Sequence, residues 1–187
     1  MKVVFLDRDG VINEYPGDFE YVKSWEEFHF LPGVIGALKA INDKGYKIFI
    51  ISNQAGVGKG IYSQGNLDLI THNMLRELAK DGVEIAGVYY CTHRKEDNCS
   101  CRKPKTGLLD LVIQKAKESG GEIDLEKSFF IGDTIRDIQV GKAVGLKTIL
   151  VFSGKEKQEN SSFWGTAPDF TAGDLPKAVE KYISKNG

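Results

Sequence analysis

Short apolar runs of β character alternate with helical patterns along this 187-residue chain, which restricts it to a parallel sheet with helices on its faces. Residues 3–6 read as a buried first strand, with further strands at 47–51, 85–90, 128–131 and 148–152. Pro32-Gly33 opens a helix with apolar positions Ile35, Leu38 and Ile41, and Gly45 ends it. Leu67, Ile70, Met74 and Leu78 keep helical spacing and give a second helix, stopped near Gly82. Thr106 caps a third through about Glu118. A short helix at 135–143 and a closing helix at 175–183 complete the pattern, and the polar stretch 154–173 reads as a surface loop. The expected fold is α/β, a Rossmann-like parallel sheet in a single domain over 1–187, with a small metal-bound loop at 91–104.

Each of four strands is followed at once by a polar signature: Asp7-Arg8-Asp9, Ser52-Asn53-Gln54, Cys91-Thr92-His93 and Gly132-Asp133. Open α/β sheets bind ligands outside the carboxyl ends of their strands. The unusual polar residues are thus delivered to one edge of one sheet. A D-x-D in a loop can be no more than a turn with local hydrogen bonds, but a second cluster, Asp133-x-x-x-Asp137, follows another apolar strand. Gathering so many carboxylates is costly unless a cation sits among them, and an all-oxygen donor set suits Mg²⁺.

The three cysteines, Cys91, Cys99 and Cys101, lie together with His93. A disulfide framework prefers an even count and a secreted setting. Cys91, His93, Cys99 and Cys101 instead make a Cys₃His set, a closed structural Zn²⁺ site with no coordination position left for substrate. Arg102 and Lys103 follow directly, so a metal there would stiffen the loop that presents Lys103.

Together, Asp7-Arg8-Asp9-Gly10, Ser52, Lys103 and Gly132-Asp133 to Asp137 match in order the four signatures of the haloacid dehalogenase-like phosphatases, which the chain resembles over most of its length. The resemblance implies that Asp7 is a nucleophile forming an aspartyl-phosphate and that Asp9 serves as general acid, then base. It implies Mg²⁺ held by Asp7, Asp133 and the Asp9 carbonyl, with Ser52 and Lys103 on the phosphoryl group. Asp137 is expected to anchor Lys103 or a metal-bound water. Its bland reading is an acidic residue near a helix N-terminus.

The C-x-H…C-x-C-R-K-P loop and Ser52-Asn53-Gln54-Ala55-Gly56 narrow the resemblance to the branch holding D-glycero-D-manno-heptose 1,7-bisphosphate 7-phosphatases and histidinol-phosphate phosphatases. Asp7 to Asn13 resembles the heptose enzymes. The long segment 14–22 and the five-residue spacer between His93 and Cys99 resemble the histidinol-phosphate type. The implied activity is removal of the 7-phosphate of the heptose bisphosphate, with histidinol phosphate as the alternative substrate. Arg102, by its planar fork, is expected to bind a second phosphate or sugar hydroxyls, with Asn53, Gln54 and the loop around Tyr15 to Asp18 lining the pocket. There is no space in the sequence for an inserted cap domain.

Two remoter functions are a nucleic-acid end phosphatase and a non-catalytic zinc-stabilised binding module. With 25 Lys and Arg against 26 Asp and Glu, the chain has no bulk pull toward nucleic acid. The longest apolar run, 48–51, is far too short to span a bilayer. The N-terminus reaches Asp7 with no room for a signal peptide. The expectation is a cytoplasmic monomer acting on a small phosphorylated metabolite, without nucleic acid or membrane as partner. His29, His72 and the Val57-Gly58-Lys59-Gly60 turn are read as structural.

Overall fold

The computed structural model describes residues 1–184. Its strands are β1 (Val3–Leu6), β2 (Lys47–Asn53), β3 (Ile85–Cys91), β4 (Phe129–Gly132), β5 (Lys147–Val151) and β6 (Phe170–Ala172). They form one sheet in the order β3-β2-β1-β4-β5-β6, and every neighbouring pair is parallel. The helices are α1 (Val34–Asp43), α2 (Ala55–Gly58), α3 (Gln64–Lys80), α4 (Gly107–Glu118), α5 (Ile135–Ala143) and α6 (Leu175–Ala178).

Side chains alternate across a strand, so β1 feeds both faces of the sheet. Val4 and Leu6 enter a core with Leu38 and Ile41 of α1, Ile70 and Met74 of α3, and Leu175 of α6. Val3 and Phe5 enter a second core with Leu109 and Val112 of α4 and Val140 of α5. All four β1 side chains are fully buried, as expected of a central parallel strand covered on both sides.

Strand order reverses between β2 and β4, which flank β1. The carboxyl end of β1 is therefore the topological switch point, where open α/β sheets leave a crevice for ligand. Asp7 stands there, its N–H donating to the Ile131 carbonyl at 3.1 Å. The segments between successive strands of the sheet are connecting loops and flanking helices, and none of the described residues forms a cap domain.

The expected elements are present, with four revisions. The stretch 154–173 is not wholly loop: Phe170–Ala172 pairs with Ile149–Val151 as an edge strand. Three residues carry too little periodicity to be legible, and the strand is fixed by Asp169, whose carboxylate accepts from the Thr148 N–H and hydroxyl at 2.8 Å each. Ala55–Gly58 winds into one helical turn where only a turn was expected. Thr106 occupies the position before α4 without capping it, because its hydroxyl donates to Asp110 at 2.7 Å instead. The closing helix leaves α geometry after Ala178 and continues as a π turn over Val179–Ile183.

Candidate active site

Asp7, Asp133 and Asp137 bring carboxylate oxygens within 4.8 Å of one another at the ends of β1 and β4. All three are buried. The chain makes room for Asp133 with two glycines: a Cβ at Gly10 or at Gly154 would collide with its carboxylate. Gly10 also has φ +79°, a left-handed conformation that side chains resist. Gly132 serves Asp137 in the same way.

Lys103 joins the acids from the far side. Its ammonium lies 2.9 Å from Asp7 Oδ2 and 2.6 Å from Asp137 Oδ1, and donates to the Ile51 carbonyl at 2.8 Å. Three acceptors around three protons leave this buried cation fully engaged. Burial opposes its charge, but Asp137 and Asp7 outweigh that and hold its pKa above the ordinary value. The other Asp137 oxygen caps α5, accepting from the Thr134 N–H at 3.0 Å and hydroxyl at 2.6 Å.

The backbone of Lys103 is set by Asn53, whose side-chain oxygen accepts the Lys103 N–H at 3.1 Å while its NH₂ donates to the Lys103 carbonyl at 3.2 Å. Asn53 also lines the cleft. Ser52 lines the cleft beside Asp7, its hydroxyl oxygen accepting from the Gln54 amide at 3.1 Å. Gln54 departs from its expected place: it is 1 % exposed, it is not among the cleft-lining residues, and its amide is spent on Arg8, Asp9, Ser52 and Tyr62. The turn after β2 carries it inward, behind Asp9.

With Asp137 committed to Lys103 and Thr134, Asp7 and Asp133 are the carboxylates left for a cation. Burial pushes the Asp7 carboxyl above its ordinary value, only partly offset by Lys103. Burial, then Asp7 and Asp137, push Asp133 well above it. Both carboxyls are strained as anions until a positive charge comes between them, and hard oxygen donors at the floor of an open cleft fit a Mg²⁺-type ion.

The second cluster is also competent for a metal. Sulfur separations among Cys91, Cys99 and Cys101 are 3.2, 3.5 and 3.6 Å, and His93 Nδ1 lies 3.2 Å from Cys101 and 3.7 Å from Cys91. A disulfide needs about 2.05 Å, whereas tetrahedral Zn–S bonds of about 2.3 Å set ligand atoms roughly 3.8 Å apart. Burial, with help from Cys101, pushes the Cys91 thiol up to about 12, so a bound cation is what would make it a thiolate. Arg102 donates to the His93 carbonyl at 3.3 Å, tying the loop to the cleft.

The cleft above Asp7 has a volume of about 320 Å³. Its walls include Asp9, Tyr15, Ser52, Asn53, Arg102, Lys103 and Asp133, as the sequence implied, together with Lys59, Lys95, Arg136 and Lys155, which it did not. Asp18 pairs with Lys155 and accepts from the Tyr15 hydroxyl at 2.5 Å, joining the 14–22 loop to the loop after β5. A neighbouring hollow of about 430 Å³ shares Lys95, Arg102, Lys103 and Arg136 with the cleft, adds Asn98, Cys99, Pro104 and Lys105, and has no carboxylate in its lining among the described residues. His29 and His72 lie outside both. Arg136 had a signal, since it sits inside the Asp133-x-x-x-Asp137 pattern at the start of a helix. Tyr62 had none, because only the tertiary fold brings it to Gln54.

A strand at the switch point ending in a buried aspartate, with a fixed ammonium against it, is the plan of the haloacid dehalogenase-like phosphatases, enzymes that hydrolyse phosphate esters. The model of the polynucleotide kinase 3 phosphatase family matches residues 2–175, and the chain belongs to that family within this phosphatase class. It is similar to the D-glycero-beta-D-manno-heptose-1,7-bisphosphate 7-phosphatase of Pasteurella multocida, at 36% identity over 186 residues covering 96% of this chain and 97% of that protein. The corresponding alpha-heptose enzyme of Campylobacter jejuni is 36% identical over 162 residues, covering 87% and 88%. Among solved structures, the D,D-heptose 1,7-bisphosphate phosphatase of B. bronchiseptica, complexed with magnesium and phosphate, superposes with a TM-score of 0.88 at 28% identity, covering 99% of each chain.

Proposed function

We propose that the chain removes the 7-phosphate of D-glycero-D-manno-heptose 1,7-bisphosphate through an aspartyl-phosphate on Asp7. The carrying observation is the carboxylate-free basic hollow that opens beside Asp7 through Lys95, Arg102 and Arg136. A small substrate with two phosphates suits it: one phosphate meets Asp7 and the other meets a cluster of cations, Lys95, Arg102 and Arg136. Histidinol phosphate, with one phosphate and a basic opposite end, would set like charges against that wall. The named relatives favour the same substrate.

Asp7 attacks phosphorus, an Asp7–phosphorus bond forms, and the bond to the sugar oxygen breaks as that oxygen takes the proton of Asp9. In the second half Asp9 takes a proton from water. The water oxygen attacks phosphorus, the bond to Asp7 breaks, and inorganic phosphate leaves with Asp7 restored. Ser52 donates to a phosphoryl oxygen, and Lys103, held by Asp137 and Ile51, sets its positive charge against the same group, where positioned charge and donors do most of the work. Mg²⁺, when bound by Asp7, Asp133 and the Asp9 carbonyl, neutralises charge on the phosphoryl group. Zn²⁺ on Cys91, His93, Cys99 and Cys101 would keep Arg102 and Lys103 in place. None of the described helices is long and apolar enough to cross a membrane, and cytoplasm is the compartment we assign.

Phosphate release with Mg²⁺ from the heptose bisphosphate, histidinol phosphate and a 3′-phosphorylated oligonucleotide, compared as kcat/KM, tests this reading. The heptose is expected to exceed both others at least about a hundredfold, the scale of discrimination that one lost charged contact gives. Preference for histidinol phosphate or for the oligonucleotide would overturn the assignment while leaving the aspartate chemistry standing.

A further inference from the structure

The Asp9 carboxylate is held from behind by a relay of buried side chains. Arg8 is 0 % exposed and forks onto Asp9, Nε to Oδ1 at 3.0 Å and Nη2 to Oδ1 and Oδ2 at 2.9 and 3.2 Å. The guanidinium lies over the rings of Tyr90 and Phe28, at 5.7 and 6.0 Å from their centroids. Asp9 is its only carboxylate partner among the described residues. Asn13 adds a third donor to Oδ1 at 2.9 Å, which fills that oxygen. Oδ2, with two donors against three, is the less occupied oxygen and the one we assign to proton exchange with substrate or water.

Gln54 governs Oδ2. Arg8 Nη2 reaches Gln54 Oε1 at 3.2 Å, and because a guanidinium can only donate, this end of the amide must be the oxygen. The Tyr62 hydroxyl donates to the same atom at 2.6 Å. The amide nitrogen is therefore forced toward Asp9 Oδ2, at 3.0 Å, and Ser52 Oγ, at 3.1 Å. Burying an arginine and a glutamine is costly unless their polar groups are paired, and the pairing fixes their orientation. Here both orientations converge on the Asp9 carboxylate, which lines the cleft and has Arg8 as its ion-pair partner.

We infer that Gln54, oriented by Arg8 and Tyr62, is a positioning residue that aims Asp9 Oδ2 at the leaving-group oxygen. The inference rests on the general-acid reading of Asp9 given above. It predicts a defect that grows with the leaving group's need for a proton. Phenyl phosphate and 4-nitrophenyl phosphate present the same phosphoryl group to the site and differ in that need. On the magnesium-loaded enzyme, kcat/KM reports the step in which the ester bond breaks.

Asp9→Asn is expected to lose about a hundredfold or more on phenyl phosphate and far less on 4-nitrophenyl phosphate. Gln54→Met should follow the same pattern at roughly tenfold, and Tyr62→Phe, which leaves the glutamine in place but frees its rotation, at about threefold. Should Gln54→Met fail to fold, as judged by thermal unfolding, Tyr62→Phe carries the test alone. Equal losses on both esters for Gln54→Met and Tyr62→Phe, beside a selective loss for Asp9→Asn, would overturn the inference and leave Asp9 as the acid. An unselective Asp9→Asn would remove the general-acid reading itself, and the inference with it.

Discussion

The Asp133 carboxyl fits between Gly10 and Gly154 with Asp7 and Asp137 nearby, a placement that serves a cation and opposes the metal-free fold. Folded-state values above the ordinary 3.8 mean that Asp7 and Asp133 hold more protons in the folded than in the unfolded chain once pH exceeds that value. Their contribution to stability therefore falls as pH rises through the folded values. Asp133→Asn removes one of these charges without changing size. It is expected to raise Tm of the metal-free protein, by a margin that widens toward neutral pH, while abolishing turnover and the Tm increase that Mg²⁺ gives the parent protein. Calorimetry of both proteins at two pH values with and without Mg²⁺ checks this, and a variant less stable than its parent without metal would contradict it. At Asp7, substitution by Asn should eliminate turnover and preserve the fold; substantial residual turnover with unchanged unfolding would mean that another group attacks phosphorus.

At the level of elements, the metal loop and the edge strand are the two pieces held by side chains more than by ladders. The loop lies between β3 and α4 with four metal-competent ligands, so if it holds the Zn²⁺ proposed above, chelation should lower Tm and displace Lys103. Unchanged stability after verified zinc removal would count against a structural site. The edge strand β6 depends on Asp169, which holds Thr148 of β5 and pairs with Lys142 at 2.6 Å. Asp169→Ala should cost about 1 kcal/mol, a modest amount because the carboxylate is partly exposed, read as a shift in denaturation midpoint with unchanged slope. These two elements also mark what could be read from the chain alone. The gathering of Cys91, His93, Cys99 and Cys101 was legible because Cys and His at short spacings have few other uses, and β1 to β5 because apolar runs need burial on both faces. β6 was not, since its strand character comes from Asp169 and a partner strand distant in sequence. Gln54 was legible as important and misread in direction, because a strand-end amide can face substrate or core, and only Tyr62 and Arg8 decide which.

For the whole molecule, the order β3-β2-β1-β4-β5-β6 explains why one cleft collects all of its chemistry. Adjacent parallel strands end at the same edge, and the reversal of order at β1 opens the crevice there. Without a cap domain among the described residues, selectivity falls to the 14–22 loop, latched by Asp18 to Lys155, and to the basic wall contributed by the metal loop and α5. That wall should hold one phosphate while Asp7 attacks the other, so the site must distinguish the two ends of a bisphosphate. The most direct test is ³¹P NMR of heptose 1,7-bisphosphate during turnover with Mg²⁺. The account predicts that the C7 monoester signal is replaced by inorganic phosphate while the C1 signal persists. Loss of the C1 phosphate first, or no turnover of the bisphosphate by folded, metal-loaded protein, would contradict it.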